Sequence, residues 1–166
     1  MNDPLQTIAD QLAIRTVLHR YCRYLDLRRP DLVAHEVYTP DAVDDRGRQH
    51  VPTGHAEIEA MFRSALDSLE ATAHILGSIA VDVDGDRATS EAYVTAWHWL
   101  KVRPGSPATR PADFALVAVY FDELVRTPAG WRVRHRRLQV AGPGGVALGE
   151  LPERFRGFGG VSDREN

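Results

Sequence analysis

Hydrophobic positions recur with two periods along the chain, and the change from one to the other falls near residue 72. Before that point the spacing is helical. Leu5, Ile8, Leu12, Ile14, Val17, Leu18, Tyr21 and Leu25 fit a helix of about six turns with one apolar side. Asp3 is placed to cap it and Pro4 to occupy its first position. Pro30-Asp31 opens a second, short helix through Leu32, Val33, Val37 and Tyr38, which Thr39-Pro40-Asp41 ends. Ala42 to Asp45 predicts a short strand, and Arg46-Gly47-Arg48 a turn. Thr53-Gly54-His55 leads into a third helix with the apolar face Ile58, Met61, Phe62, Ala65, Leu66 and Leu69.

Beyond residue 72 the pattern is extended. Thr72 to Val83 and Arg87 to Val102 predict a hairpin turning at Asp84-Gly85. Arg103 to Pro111 is rich in proline and reads as a loop. Asp113 to Arg126 and Trp131 to Val140 predict a second hairpin, turning at Pro128-Ala129-Gly130. Three helices followed by two long hairpins is an α+β order. It predicts one strongly curved antiparallel sheet with the helices over its concave face and a pocket between the layers. No repeat and no long linker divides residues 1–141, which read as one domain. Residues 142–166 form a Gly-rich tail carrying Leu151, Phe155 and Phe158, too apolar for a plain solvated end. Two roles fit it: a contact segment in a groove of this or a neighbouring subunit, and a lid over the pocket.

Composition narrows this little. Hydrophobic content of 43% and charged content of 26% are globular values. A net charge of −3 argues against general nucleic-acid binding. The single cysteine, Cys22, excludes an intramolecular disulfide and a Cys-based zinc site. The opening M-N-D-P-L-Q has no basic leader or long apolar run, which predicts a cytoplasmic protein with no membrane span.

The chemistry lies in three residues. On the strand Arg87 to Val102, Ala92, Val94, Ala96, His98 and Leu100 share one face, and Glu91, Tyr93, Thr95, Trp97 and Trp99 the other. The smaller set leaves room for a ligand, with His98 its ionisable member. On the strand before, His74 shares a face with Leu76, Ser78 and Ala80. Asp26 ends the first helix, where the helix dipole disfavours a carboxylate, so another group must hold it there. Histidine is the commonest general acid–base residue near neutral pH, and a carboxylate on one ring nitrogen fixes its tautomer. Asp26 is suited to do this for His74. Motifs for a zinc protease, a nucleophilic serine or a phosphate loop are missing, and neither metal nor cofactor is expected. Arg132, Arg134, Arg136 and Arg137 read as a stripe on a solvated face, with Arg137 a candidate to turn the other way beside Trp131, Val133 and His135.

The motifs Y-C-R-Y-L-D-L-R-R-P-D-L-V, T-P-D-A-V, G-H-A-E-I, T-A-H-I-L-G-S, V-D-G-D-R-A and Y-F-D-E-L-V-R-T-P-A-G-W-R-V follow one another between Leu5 and Val140. In that order and spacing the chain resembles the SnoaL-like branch of the nuclear-transport-factor-2-like superfamily. That resemblance implies a cone-shaped α+β barrel. Asp26 and His74 match the aspartate and histidine of scytalone-dehydratase-like and bile-acid-dehydratase-like members. His98 matches a second pocket histidine of the former, and Tyr21 a tyrosine of the latter. Leu25 and Asp45 stand where scytalone dehydratases carry tyrosines, a departure bearing on the substrate rather than on the His–Asp pair. The resemblance implies a cofactor-independent lyase of dehydratase type, acting on a small cyclic or polyketide-like substrate. In it Asp26, His74, His98 and Tyr21 are catalytic; Tyr120 and Arg137 are further candidates for contact with the substrate in the pocket. An isomerase or polyketide cyclase with the same base, and a non-catalytic ligand-binding module, are the alternatives. Three rings, Tyr93, Trp97 and Trp99, opposite His98 predict a homo-oligomer through the sheet, a trimer or a dimer.

Overall fold

The computed structural model describes residues 4–101 and 110–141. The expected cap Asp3, most of the loop after Val102, and the tail with Leu151, Phe155 and Phe158 lie outside the described residues. Helix α1 runs Pro4–Asp26, and α2, Pro30–Leu32, continues into a π-helical turn, Val33–Val37. Strand β1 is Tyr38–Asp45 and α3 is Gly54–Asp67. Four long strands follow, β2 Leu69–Asp84, β3 Arg87–Leu100, β4 Phe114–Thr127 and β5 Gly130–Val140.

The strands form one curved five-stranded sheet in the order β1-β5-β4-β3-β2. The four long strands pair antiparallel as expected. β1 adds to β5 in parallel, so the sheet is mixed. β1 is also longer than its apolar pattern suggests: it starts at Tyr38 and includes Pro40, whose missing N–H falls at a break in register between Tyr38 and Val43. The first hairpin turns one residue later than expected. Asp84 pairs with Arg87, leaving Gly85 and Asp86 as the central residues. Gly85 has φ +58° and Asp86 is not left-handed, the sign pattern of a II′ turn with glycine first.

Two bulges decide which side chains face the helices. Gly77 pairs with Tyr93 but Ile79 with Ala92, so Ser78 is an extra residue in β2, with φ +45°. Inward parity therefore passes from His74 and Leu76 to Ile79, Val81 and Val83, while Ser78 and Ala80 are exposed rather than sharing the face of His74. In β5 Arg134 is the extra residue, because Val133 pairs with Leu124 and His135 with Glu123. The inward set is then Trp131 and Val133, followed by Arg136, Leu138 and Val140.

Helix α1 lies on β2 and β5, and α3 on β1 and β2. The buried side of α1 is Asp10, Ile14, Val17, Leu18, Tyr21, Cys22 and Leu25. Leu5, Ile8 and Leu12, expected on its apolar side, are instead more than half exposed. A carboxylate takes the inward place of the first turns because Asp10 is fully paired: two nitrogens of Arg126 donate to it at 2.7 Å each and the Trp131 indole at 3.0 Å. Arg28, in the left-handed region just past α1, donates to the Leu66 and Leu69 carbonyls at 2.9 Å each. That ties the end of α1 to the junction of α3 and β2, and so fixes Asp26 against β2.

Candidate active site

Between the helices and the concave face of the sheet lies a cavity that opens to solvent. Its walls are mainly apolar, from Leu25, Phe62, Leu66, Val94, Phe114, Leu116 and Leu138. Six polar side chains break that lining: Tyr21, Arg46, Thr72, His74, His98 and Tyr120.

Asp26 and His74 meet there. His74 Nδ1 is 2.7 Å from Asp26 Oδ1, the His74 backbone N–H donates to Oδ2 at 3.1 Å, and Thr72 Oγ1 donates to Oδ1 at 2.8 Å. These donors, all from β2, are what hold a carboxylate at the unfavourable end of α1. Burial works to raise the Asp26 carboxyl; the bonds from His74 and Thr72 outweigh it and hold it below the usual carboxylate range. An ionised Asp26 can only accept, so Nδ1 carries the proton and Nε2 is the free base of the ring.

His98 faces the same cavity, two residue pairs along the sheet from His74, opposite Thr72. Its ring stacks on Phe114 at 4.3 Å and meets His74 edge-on at 6.0 Å. Burial, and then the charge that His74 can carry, push its pKa down to about 4. His98 is therefore neutral at pH 7 and serves the cavity as a neutral ring rather than as a cation.

The opposite wall carries a polar chain that the sequence reading did not find. Arg46, just past β1, donates through Nε to Asp44 Oδ1 at 2.7 Å and through Nη2 to the Tyr21 hydroxyl at 2.8 Å. Asp44, fully buried, also accepts from the Tyr38 hydroxyl at 2.6 Å. Tyr120 packs edge-on against Tyr21 at 5.4 Å, and burial raises its hydroxyl well above the usual tyrosine value. The Arg136 guanidinium lies 4.1 Å from the Tyr21 ring centre and 4.3 Å from that of Tyr120. It is fully buried in a two-point pair with Asp122, at 2.7 and 2.8 Å.

Five of the six expected site residues, Asp26, His74, His98, Tyr21 and Tyr120, thus line or abut one cavity. Arg137 does not. It is exposed on the outer face, over the Phe121 ring at 4.2 Å and bonded to Gln139 at 2.9 Å. The bulge at Arg134 is the reason, and it turns Arg136 inward from the stripe expected to be solvated. Among the described residues no three His, Cys, Asp or Glu side chains are grouped to hold a metal, and no helix is long and apolar enough to cross a membrane.

These features define a cone-shaped α+β domain with a His–carboxylate pair in an apolar cavity. The chain belongs to the SnoaL-like domain family, which matches residues 6–137. It is 33% identical over 134 residues to an uncharacterised protein of Mycobacterium tuberculosis, covering 78% of this chain and 84% of the relative. Among solved structures it is similar to a candidate scytalone dehydratase from Novosphingobium aromaticivorans, at TM-score 0.78 and 19% identity, over 96% of this chain and 97% of the other. A candidate aromatic ring hydroxylase from the same organism is 30% identical at TM-score 0.70, over 82% and 92% of the two chains. The family's fold is shared by dehydratases, isomerases and cyclases.

Proposed function

We propose that the protein is a cofactor-independent lyase of dehydratase type, acting on a small cyclic substrate with a hydroxyl β to a carbonyl. The observation that carries this reading is the 2.7 Å contact of Asp26 with His74 Nδ1 inside an apolar cavity. His74 Nε2 takes the proton from the carbon next to the carbonyl. The C–H pair forms an enolate, with charge on the carbonyl oxygen. On collapse the carbonyl re-forms, a double bond joins the α and β carbons, and the β C–O bond breaks. The departing hydroxyl takes the proton from His74 and leaves as water, which returns the base to its starting state. Asp26 holds the ring and stabilises its charged form, an arrangement that typically supports rate factors of about 10²–10⁴. Tyr21 and the neutral His98 are the groups placed to meet the two oxygens. Similarity to a candidate aromatic ring hydroxylase supports a ring-shaped substrate. The exposed Tyr93 and Ile75 on the outer face support assembly as a homo-oligomer.

The test is to incubate the protein with a panel of cyclic β-hydroxy ketones in D₂O and follow them by NMR. Loss of water to give the conjugated enone, abolished in His74→Ala, is expected. Deuterium entering the α position without elimination would assign an isomerase or cyclase instead. Saturable binding unchanged in His74→Ala, with no turnover, would make the protein a ligand-binding module and end the enzyme reading.

A further inference from the structure

Arg46 faces two spaces. On one side it lines the cavity, and on the other a second hollow between α3 and the loop that follows β1. Arg48, His50, Glu57 and Met61 line that hollow with it. The loop is closed at its base, where the Asp44 N–H donates to the Pro52 carbonyl at 3.1 Å and Val43 bridges Thr53. Within the loop Gly47 turns the chain at φ +67°, and its N–H donates to Asp45 Oδ1 at 2.8 Å. The arginines on either side of Gly47 reach the same hollow.

The Arg46 side chain is 11% exposed, and Asp44 and Tyr21 hold it by Nε and Nη2. Nη1, on the other edge of the guanidinium, makes no hydrogen bond among the described residues. Glu57 brings a carboxylate to the hollow, but it already accepts from the Thr53 N–H at 3.0 Å and lies 3.3 Å from His50 Nε2. Burial, and then the charge of Arg46, pull the Arg48 guanidinium below its ordinary value. Neither arginine sheds its proton at neutral pH, so two like charges share one hollow and an entering anion relieves their repulsion.

We propose that Arg46 and Arg48 form a binding site for an anionic group, a carboxylate or a phosphate, beyond the cavity wall that faces His74. Guanidinium groups suit both anions, because a planar fork of donors meets two oxygens at once. Arg46 is common to the hollow and the cavity. A ligand with its ring in the cavity and an acid at the end of a short arm therefore has only this side chain between its two parts. The ligand class is a cyclic acid, and the same donors admit a free anion. As a statement about the substrate, the inference rests on the proposed lyase reading; the affinity for an anion stands without turnover.

The experiment is calorimetry of the full chain at low salt with three probes: cyclohexanone carrying a propanoate arm next to the carbonyl, the primary amide of that acid, and inorganic phosphate. The wild type is expected to bind the acid roughly tenfold or more tightly than the amide, the effect of one charge-assisted bond, and the difference shrinks in high salt. Arg48→Gln, at an exposed loop position, is expected to remove the difference, and Arg48→Lys to keep part of it. Arg20→Gln removes the same charge from the exposed side of α1 and keeps the difference, which separates a site from net charge. An acid preference without phosphate binding supports the site with the substrate's arm as the source of the anion. Phosphate that binds through Arg48 and competes with the acid supports it with a free ion as a second occupant. Phosphate bound through Arg48, with acid and amide bound alike, keeps a free-ion site and overturns the acidic substrate. Acid and amide bound alike with no phosphate, no binding of any probe, or binding of the anions undiminished in Arg48→Gln overturns the inference. An acid preference with no dehydration of any cyclic β-hydroxy ketone keeps this site and removes the lyase reading. Dehydration dependent on His74 with no anion bound does the reverse.

Discussion

Replacing Asp26 by asparagine removes a charge and turns one acceptor oxygen into a donor NH₂, with almost no change of shape. Three hydrogen bonds end on this carboxylate, two on Oδ1 and one on Oδ2. The asparagine carbonyl has to take the Oδ2 place, because the His74 backbone N–H there cannot become an acceptor. The NH₂ then faces Thr72 and His74 Nδ1. Thr72 can rotate its hydroxyl to accept. His74 can accept only by moving its proton from Nδ1 to Nε2, which removes the free base from the cavity. Every partner stays bonded, so the stability cost is that of exchanging charge-assisted bonds for neutral ones at a side chain 31% exposed, about 1–2 kcal/mol. For a chain of this length that lowers the midpoint of thermal unfolding by roughly 2–8 °C. The activity cost is far larger, about 10²–10⁴-fold, because the wrong tautomer faces the substrate. Nitrogen-15 NMR of the His74 ring reports the tautomer directly, and calorimetry the stability. The Asp26 carboxyl is held below its ordinary value when folded. Its contribution is therefore complete above the unfolded value, about pH 4, and is lost as pH falls through the folded one, so the wild-type and Asp26→Asn melting curves converge in acid. An unchanged His74 tautomer in Asp26→Asn, or turnover within a few-fold of the wild type, refutes the reasoning.

His98, whose pKa is pushed down to about 4 by burial, is expected to show no NMR titration between pH 5 and 8. Below about pH 6.5 the unfolded chain takes up a proton that folded His98 refuses until about pH 4, so stability falls with pH across that window, and His98→Gln should lessen the slope in a pH series of urea melts. Asp10→Asn loses the two-point pair with Arg126, which is one-third exposed and keeps Asp86; about 2–3 kcal/mol of stability should go, read from the urea midpoint, with ligand binding unaffected. A homo-oligomer through the outer sheet face should appear by light scattering at micromolar concentration and weaken in Tyr93→Glu, whereas a monomer in the wild type would count against that assembly.

Periodicity, with the turn residues between segments, determined the first and third helices and the four long strands, because burying one face of an element imposes its own repeat on the sequence, whereas β1 begins at Tyr38, inside the segment read as the second helix, and Leu69 opens β2 rather than closing the third helix. Periodicity also placed Ala92, Val94, Ala96 and His98 on one face of β3, a strand without bulges. The contact of Asp26 with His74 was legible only as chemistry: a carboxylate at the wrong end of a helix dipole needs a donor, and β2 supplies three. Resemblance to known dehydratases pointed to the same partner. Tertiary structure decided the rest. One extra residue in a strand inverts every side chain after it, and no local signal at Ser78 or Arg134 announces the insertion. That is why Arg136 is buried on the tyrosines and Arg137 is outside, the reverse of a simple alternation. Arg46 was hidden for a different reason. Its partners Asp44, Tyr38 and Tyr21 come together only when β1 joins β5 in parallel and α1 is laid across the sheet. A turn arginine two residues from an aspartate looks solvated until those long-range contacts take water away from it.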